Sequence, residues 1–300
     1  MSKRTLEQID PEAVPEPSTI KRKLSLSSLK PTGPSPARQQ ITAPSVQLAY
    51  PSLLTPGSPP PAGPSPPFQQ PTPLISFSYN DQHELEFNDS ALRYLAPPPP
   101  RAQLGHGYDR WNRRPEARSR IDGLLRALSA VQDKKHPALS SGVGAVAWRG
   151  VLTRKSILTA PYEERESDGW LMNVMCVNGV LYLEEHRDEA CLQAKNDLNP
   201  RQRRQTYFGY SFESYCTSSA PRNSPNPPQG PNDPVGWGGD VDTNVQWCSV
   251  VRTKLGNTRL VIGGEVDCVR DKYTGKTDTF VELKTSMSIR GAQDEVRFEK

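Results

Sequence analysis

The chain has 300 residues, of which 34% are hydrophobic and 31 are proline, and this balance excludes a chain that is globular throughout. Its net charge of +4 excludes a generally polybasic protein, so any nucleic-acid surface has to be local. The five cysteines are widely spread without a CxxC pair, which argues against zinc or a disulfide framework and favours a reducing compartment. With no secretory signal and no run long enough to span a membrane, the sequence predicts a soluble intracellular protein without a membrane partner.

Residues 1–70 form a tail rich in proline and serine. Twenty-one of the 31 prolines fall in the first hundred residues, and such a composition buries too little apolar surface to offset the entropy lost on folding. The tail is therefore predicted to be disordered, and residues 71–300 are predicted to form the folded domain. Lys21-Arg22-Lys23 fits a short nuclear-import signal, although such basic clusters are common in disordered tails.

The first half of the folded part is predicted to alternate strands with helices. Apolar periodicity predicts a strand over 75–79, a helix over 115–131 and a strand-like run over 143–152. Asn178-Gly179 predicts a type I′ turn in a hairpin within 170–183. A further helix is predicted over 184–196, ending before a proline.

The second half is predicted to consist mainly of strands. Alternation predicts strands over 207–213 and 245–255, separated by a Pro/Asn/Gly-rich stretch, 218–239, that reads as a long surface loop. Gly256-Asn257 then turns the chain into the hairpin of 260–286. The whole predicts an α+β fold with mixed, largely antiparallel sheets and flanking helices.

The hairpin of 260–286 carries a cluster of charged residues. If Thr274-Gly275 is a two-residue turn, opposed residue numbers sum to 549, as 274 and 275 do. This register places Asp267 opposite Glu282 and Glu265 opposite Lys284, all on one face, with an apolar face behind them.

Three clustered carboxylates repel one another unless a cation neutralises them. Oxygen ligands of this kind suit Mg²⁺ or Mn²⁺, and Lys284 is suited to hold a phosphate oxygen or orient a water. The cluster therefore indicates a metal-dependent site that hydrolyses phosphate esters. The alternative is the solvated face of an exposed hairpin with cross-strand Glu–Lys pairs. The apolar context favours the metal site, because an unpaired acid is costly in a central hairpin.

Three residues from other segments are candidates for the same face. Glu213 fits a fourth acid, although an edge-strand glutamate facing water explains it equally well. Arg149 lies in an apolar run and needs an anionic partner, either a structural carboxylate or a bound phosphate. Cys248 is interpreted as a core thiol rather than a nucleophile, since no histidine partner lies near it in the sequence.

Four short motifs occur in a fixed order: WRG at 148–150, GYSFE at 209–213, EVD at 265–267 and ELK at 282–284. They resemble the motif series of the DXO (Dom-three-Z) family of RNA 5′-end decapping nucleases, and VQWCSVVRTKLG before EVD is also similar to that family. The fungal nuclear members, which accompany the 5′-to-3′ exoribonuclease Rat, are the nearest match. The spacing of Asp267 and Glu282-x-Lys284 also resembles the wider PD-(D/E)xK nuclease grouping. The resemblance covers roughly residues 75–300.

The resemblance implies a role for each matching residue. Glu213, Asp267 and Glu282 would ligate the metal with the main-chain carbonyl of Leu283, and Glu265 would contact metal-coordinated water or the substrate. Lys284 would lie at the scissile phosphate. The residues implied to line the RNA 5′ end are Trp148, Arg149, Gly150 and Cys248. The family has a further motif with a lysine and a glutamine on a helix just after this point; Lys300 fits its start, but the glutamine is absent. The chain is therefore expected to be truncated at its C-terminus, and in isolation to be poorly folded or inactive.

Two functions of different classes follow from these features. The first is a nuclear hydrolase that removes incomplete or non-canonical caps, or pyrophosphate from 5′-triphosphate RNA, and partners a 5′-to-3′ exoribonuclease. The second is a non-catalytic stabilising partner of that exoribonuclease. A different PD-(D/E)xK nuclease acting on DNA is a third reading. The complete acid set favours catalysis, because a protein that only binds a partner has no physical need for clustered acids.

Overall fold

The fold of this chain is built on two β-sheets. A computed structural model describes residues 66–118, 120–133, 142–153, 172–286 and 291. All described residues belong to the unit Pro59–Lys300. The tail predicted over 1–70 therefore lies almost entirely outside the described residues, and its disorder stays a prediction.

Strands dominate the described residues. In chain order they are β1 (Thr72–Tyr79), β2 (Leu85–Glu86), β3 (Tyr94–Leu95), β4 (Val143–Trp148), β5 (Met172–Val177), β6 (Val180–Glu185), β7 (Thr217–Ser218), β8 (Gln246–Leu255), β9 (Thr258–Glu265), β10 (Cys268–Val269) and β11 (Phe280–Val281). The helices are α1 (Asp122–Asp133), α2 (Arg149–Thr153), α3 (Glu189–Asn196) and α4 (Pro200–Cys216). None of the described helices is long and apolar enough to cross a membrane.

The larger sheet has seven strands in the order β2-β1-β8-β9-β4-β6-β5, and the smaller has four in the order β11-β10-β3-β7. Strands that follow one another directly pair as antiparallel hairpins, as β8 does with β9 and β5 with β6. In contrast, β4 lies parallel to both β9 and β6, and β10 lies parallel to β3. The predicted α+β fold with mixed sheets is confirmed.

The main core lies between α1 and the larger sheet. Ile121, Leu124 and Ala127 follow each other at intervals of three residues and pack against Phe77 and Val250 of the central strands. Full burial of a Leu or Phe side chain contributes about 2 kcal/mol to stability. This packing fixes the plane of β8 and β9, whose ends carry the site described below.

The predicted strand over 207–213 is wrong, because these residues belong to helix α4. The side chain of Asn199 accepts the N–H of Gln202, and the side chain of Gln202 accepts the N–H of Asn199, at 3.0 and 3.2 Å. Pro200 occupies the first helical turn, where its missing N–H has no consequence. The Asn-Pro pair therefore begins this helix rather than ending the one before it.

The burial pattern of α4 explains the error. Tyr207, Ser211 and Tyr215 are buried at intervals of four residues, which is the helical repeat. The aromatic residues 208, 210 and 212 alternate along the same segment and imitate the repeat of a strand. Two periodic patterns thus overlap in seven residues, and the capped helix is the one that forms.

Other predicted boundaries shift by several residues. The helix predicted over 115–131 is α1, which starts at Asp122, and the helix predicted over 184–196 is only α3, because Glu184 still belongs to β6. The strand-like run 143–152 ends at Trp148, and Arg149 begins the short helix α2. The remaining predicted strands, β1, β8 and β9, are confirmed.

The turn and loop predictions are mostly confirmed. Asn178 and Gly179 have φ angles of 50° and 77° between paired Val177 and Val180, as a type I′ turn requires. The stretch 219–239 has no regular element, but it is not merely a surface loop, because Asn226 is 3% exposed and Trp237 is 1% exposed. All five cysteines are free thiols.

The start of the described chain gives a prediction about truncation. The carbonyl of Pro67 accepts from Gly256 N–H at 2.8 Å, and Gln69 bonds to Lys254 and Thr253 at 2.8 and 2.5 Å. Deleting residues 2–65 should leave the melting temperature unchanged, whereas deleting 2–70 should lower stability by about 2 kcal/mol through the three lost bonds. Denaturant melts of both truncated chains test this, and equal stabilities would contradict it.

Candidate active site

A polar cleft of about 310 Å³ opens where β8 begins and β9 ends, against the C-terminal half of α4. Its backbone wall comes from the segment 238–243, which contains two consecutive glycines. Its lining includes two arginines, six acids, a tyrosine and a glutamine: Arg93, Arg114, Glu116, Glu213, Asp240, Asp242, Glu265, Asp267, Tyr210 and Gln246. The cleft thus combines acids from elements that are far apart in sequence.

The predicted register of the acidic hairpin is confirmed where the strands pair. Cys268 lies opposite Val281 and Val269 opposite Phe280, so opposed numbers sum to 549. The loop between them is longer than the two-residue turn assumed, since these strands are only two residues each. Beyond the ladder, the N–H of Leu283 donates to Asp267 Oδ2 at 2.6 Å, which holds Asp267 beside the ELK segment.

The predicted pairing of Glu265 with Lys284 is wrong. Glu265 ends β9 in the larger sheet, where it lies opposite Cys248, and the chain leaves this sheet before β10 begins in the smaller one. The side chain of Gln246 donates to Glu265 Oε2 at 2.8 Å. Glu265 and Asp267 thus reach the same cleft from the junction of two sheets rather than from one continuous hairpin.

Glu213 reaches the cleft from the last turn but one of α4. Gly209, one turn earlier, lies against Thr285, since a Cβ at Gly209 would be 3.8 Å from the threonine hydroxyl. Desolvation, followed by the charges of Asp267 and Glu265, raises the pKa of Glu213 to about 8. The predicted fourth acid therefore does lie beside the others, although it comes from a helix.

The other acids of the cleft are also perturbed. Desolvation and the charge of Asp267 raise the pKa of Glu265 to about 7. The pKa of Asp267 is raised by desolvation, although the N–H of Leu283 opposes this, and the charge of Glu282 adds to the increase. Acids that raise one another's pKa mark a region of concentrated negative potential.

Glu282 has cationic partners. Arg149 donates to both of its carboxylate oxygens at 2.7 and 3.2 Å, and Lys284 Nζ lies 2.5 Å from Oε1. Partial desolvation acts to raise the pKa of Glu282, but the bonds from Arg149 and Lys284 outweigh it and hold this pKa below its ordinary value. Arg149 was expected to pair with either a structural carboxylate or a bound phosphate, and in the structure it pairs with the carboxylate of Glu282.

Of the site residues predicted from the sequence, only Glu213, Glu265 and Asp267 line the cleft, and Arg149, Glu282, Leu283 and Lys284 lie outside its lining, as do Trp148, Gly150 and Cys248. Cys248 is 3% exposed beneath Glu265, and desolvation raises the pKa of its thiol far above the ordinary range, as expected for a core thiol. Trp148 packs on Gly263, where a Cβ would come within 2.9 Å of the ring, and its indole N–H donates to the Arg120 carbonyl. Gly150 is exposed in α2 with open space around it. Their implied roles at the RNA 5′ end stay predictions.

Among the cleft residues that were missed from the sequence, Arg114 and Gln246 are joined to Glu265 by a chain of hydrogen bonds. Arg114 bonds to His83 and to Gln246 Oε1, the latter at 3.4 Å, so Gln246 links Arg114 to Glu265. Gln246 was detectable, because the turn at Gly256-Asn257 makes opposed numbers on β8 and β9 sum to 513, which pairs Cys248 with Glu265 and leaves Gln246 two residues before Cys248, on the same face of the strand. No local pattern indicated Arg114.

The spacing and charge of these side chains can be compared with what a divalent cation requires of its ligands. Within the described ranges, no three His, Cys, Asp or Glu side chains stand at the spacing of metal ligands, and Glu282 is engaged by Arg149 and Lys284 instead. However, none of Glu213, Glu265 and Asp267 forms an ion pair with a described basic side chain. Carboxylates whose pKa values stay raised despite the nearby charges of Arg114, Arg149 and Lys284 fit Mg²⁺ or Mn²⁺ as an additional cation.

The raised pKa of Glu213 gives a pH-dependent prediction for the metal-free protein. The folded chain keeps this proton up to about pH 8, whereas the unfolded chain releases it near 4.5. Wild-type stability therefore falls as pH rises through this window, and Glu213→Gln removes the fall. In EDTA the variant should gain about 2 kcal/mol over wild type between pH 5 and 8.5, roughly half the full linkage value because the cleft admits water.

Urea melts at the two pH values measure this difference. The exposed Glu84→Gln removes the same charge away from the cleft and serves as the control. If Glu213→Gln and Glu84→Gln shift stability equally at both pH values, the crowding of acids around Glu213 is refuted.

Comparison with known proteins identifies a family model and several relatives that are similar to this chain. Residues 69–300 match the family model described as RAI1 like PD-(D/E)XK nuclease. Decapping nuclease RAI1 of Mycosarcoma maydis is 39% identical over 300 residues, covering 84% of this chain and 58% of that protein. The decapping and exoribonuclease protein of Rattus norvegicus is 37% identical over 238 residues, covering 76% of this chain and 56% of that protein. The chain thus spans a little over half the length of these relatives.

Solved structures show the same fold. Rai1 of Candida albicans, in complex with pU5-Mn²⁺, has a TM-score of 0.64 and 25% identity over 78% of this chain and 64% of that chain. Rai1 of Scheffersomyces stipitis has a TM-score of 0.64 at 24% identity over 77% of this chain and 65% of that chain. The family resemblance of the four sequence motifs is confirmed. The chain belongs to the RAI1-like PD-(D/E)XK nuclease family.

Proposed function

We propose that the chain is a divalent-metal-dependent hydrolase of RNA 5′ ends that removes incomplete or non-canonical caps, or pyrophosphate from a 5′-triphosphate. The observation that carries this proposal is the convergence of Glu213, Glu265 and Asp267 on one cleft, where desolvation and their mutual charges raise their pKa values and none of them forms an ion pair with a described basic side chain. Relatives that share the family are named decapping nucleases, which supports the same substrate class.

Each residue has a task that follows from its position. Glu213, Asp267 and Glu282, with the carbonyl of Leu283, would hold Mg²⁺ or Mn²⁺, which would polarise the scissile phosphate and offset its developing charge. Asp267 is oriented by the N–H of Leu283, so its free oxygen is directed by the backbone rather than by a mobile side chain.

The basic residues next to Glu282 are suited to bind a phosphate group of the substrate. Lys284 has a 75% exposed side chain, so it can reach a phosphate oxygen while remaining next to Glu282. Arg149, fixed at Glu282 by two hydrogen bonds, keeps a guanidinium beside the same phosphate. Glu265, with a pKa near 7, is suited to exchange a proton with a water or the substrate at neutral pH.

The proposal includes a partner and a location. The family resemblance supports association with a nuclear 5′-to-3′ exoribonuclease, which would degrade the 5′-monophosphate RNA that this reaction leaves. Lys21-Arg22-Lys23, outside the described residues, supports import into the nucleus. Co-purification of the exoribonuclease with the tagged chain, and loss of nuclear signal on replacing the three basic residues by Ala, are the expected results.

The alternatives predict different outcomes in one assay. The chain is incubated with capped RNA, 5′-triphosphate RNA and duplex DNA, each with Mn²⁺ and with EDTA. Metal-dependent release from the RNA 5′ ends alone is the expected result. Cleavage of duplex DNA would identify a different PD-(D/E)xK nuclease. No turnover, together with stabilisation of an added exoribonuclease, would identify a non-catalytic partner.

A further inference from the structure

A surface rich in arginine and aromatic residues lies along the N-terminal half of α4. Arg203 and Arg113 lie over the ring of Trp111, 5.6 and 5.9 Å from its centroid, and Arg204 lies 5.7 Å from the centroid of Tyr108. These five residues are here called the arginine–aromatic surface. It supplies the kind of local basic surface that a net charge of only +4 requires for nucleic-acid binding.

Two arginines of this surface are available to an outside anion. Arg203 and Arg204 are exposed, and neither forms an ion pair with a carboxylate in the described part of the chain. Arg113 also forms no ion pair there, but its guanidinium donates to the carbonyls of Lys195 and Asn196 at 2.7 and 3.2 Å, so Arg203 and Arg204 are the two that can bind an outside anion. Two exposed guanidinium groups at consecutive positions of one helix concentrate positive potential on this surface.

The surface is continuous with the acidic cleft. The ring of Trp111 lies 6.0 Å from that of Tyr210, and Tyr210 lines the cleft beside Glu213. Ten residues of α4 separate Arg203 from Glu213, which corresponds to about 15 Å of helix. A stacked nucleic-acid strand rises about 3.4 Å per nucleotide, so roughly four nucleotides bridge this distance.

We propose that the arginine–aromatic surface binds the body of an RNA strand whose 5′ end occupies the cleft, an inference that rests on the proposed function. Guanidinium groups pair with phosphates through two N–H bonds and stack on bases. Contact with the rings of Trp111 and Tyr108 restricts the guanidinium groups of Arg203 and Arg204 in advance, which lowers the entropy lost on binding. An acidic protein segment would use only their charges, whereas RNA bases would also stack on the planar guanidinium groups, so RNA is the better match.

Binding of single-stranded RNA to the full chain tests this surface. Anisotropy with 5′-phosphorylated oligonucleotides of two and of ten nucleotides, in EDTA to prevent turnover, gives the Kd for each length. Wild type should bind the decamer at least about tenfold more tightly than the dinucleotide, and Arg203→Gln/Arg204→Gln should lose most of this advantage. The slope of log Kd against log salt for the decamer should fall by about 1.4, since each phosphate contact of a single strand contributes about 0.7.

Two further variants separate charge from stacking and from general electrostatics. Arg252→Gln/Lys254→Gln removes the same charge from the end of β8 that lies about 27 Å from the cleft, and it should keep the length advantage. Arg203→Lys/Arg204→Lys keeps the charge without the planar stack, so it should retain the salt slope but lose part of the affinity. Melting curves of all variants confirm that each is folded.

The outcomes distinguish this inference from the proposed function. If wild type prefers the decamer and Arg203→Gln/Arg204→Gln keeps that preference, the surface is refuted while the proposed function stands. If wild type hydrolyses a short capped RNA but shows no length advantage, the inference alone fails. If wild type neither binds nor hydrolyses RNA, both fail. If the double variant loses binding of polyglutamate but not of the decamer, the surface serves an acidic protein, which also overturns the inference.

Discussion

Replacing Asp267 by asparagine should lower turnover of a capped or 5′-triphosphate RNA by about a thousandfold while leaving the chain folded. Asparagine keeps a side-chain oxygen for the N–H of Leu283, which now donates to Asp267 Oδ2 at 2.6 Å. It removes the negative charge that a divalent cation needs. Alanine is a poorer choice, because it would also leave the Leu283 N–H without its acceptor.

A matched control lies four residues away. Asp271 has a φ angle of 56°, a left-handed conformation that asparagine adopts readily, so Asp271→Asn removes the same charge without strain. Single-turnover rates at saturating Mn²⁺ compare the two variants with wild type. If Asp267→Asn keeps more than about a tenth of the wild-type rate, Asp267 is not at the reacting centre.

Replacing Gly238 by alanine should lower the stability of the chain by about 3 kcal/mol and distort the cleft. A Cβ at this position would lie 2.1 Å from the carbonyl oxygen of Ser214 and 2.7 Å from that of Thr217, both at the end of α4. Backbone oxygens cannot move aside as a flexible side chain can. The displaced segment would also strain the 2.8 Å bond from Arg93 to the Gly238 carbonyl.

Thermal melts measure the effect of this substitution. A loss of about 3 kcal/mol corresponds to roughly 6–12 °C for a domain of this size. Gly105→Ala is the control, since nothing lies within 4 Å of a Cβ there. If Gly238→Ala and Gly105→Ala have the same melting temperature, the segment 238–243 does not pack against α4 in this way.

Much of the acidic site could be predicted because its register is local. The pairing of Cys268 with Val281 follows from the short chain between them, and the same register brings Asp267 next to Glu282. The position of Glu265 could not be obtained from that hairpin, because the chain passes from one sheet to the other between Glu265 and Cys268. A change of sheet depends on tertiary packing and leaves no repeat in the sequence.

Contacts between distant segments were the part that sequence patterns missed. Glu213 was selected as an acid of the right type in a family motif, yet its segment is the helix α4 that the Asn199-Pro200 cap begins. Arg114 reaches the cleft from a stretch without regular structure, where no periodicity exists to be read. The parallel pairing of β4 with β9 and β6 is equally non-local.

If the clustered acids hold a divalent cation, a melting curve with increasing Mn²⁺ shows it without requiring turnover. A cation that binds only the folded chain raises stability by about 1.4 kcal/mol for each tenfold increase in concentration above Kd. Wild type and Asp271→Asn should therefore melt at steadily higher temperatures as Mn²⁺ is added, whereas Asp267→Asn should not. An equal rise in all three proteins, or no rise in wild type, would contradict the assignment of these acids to a metal site.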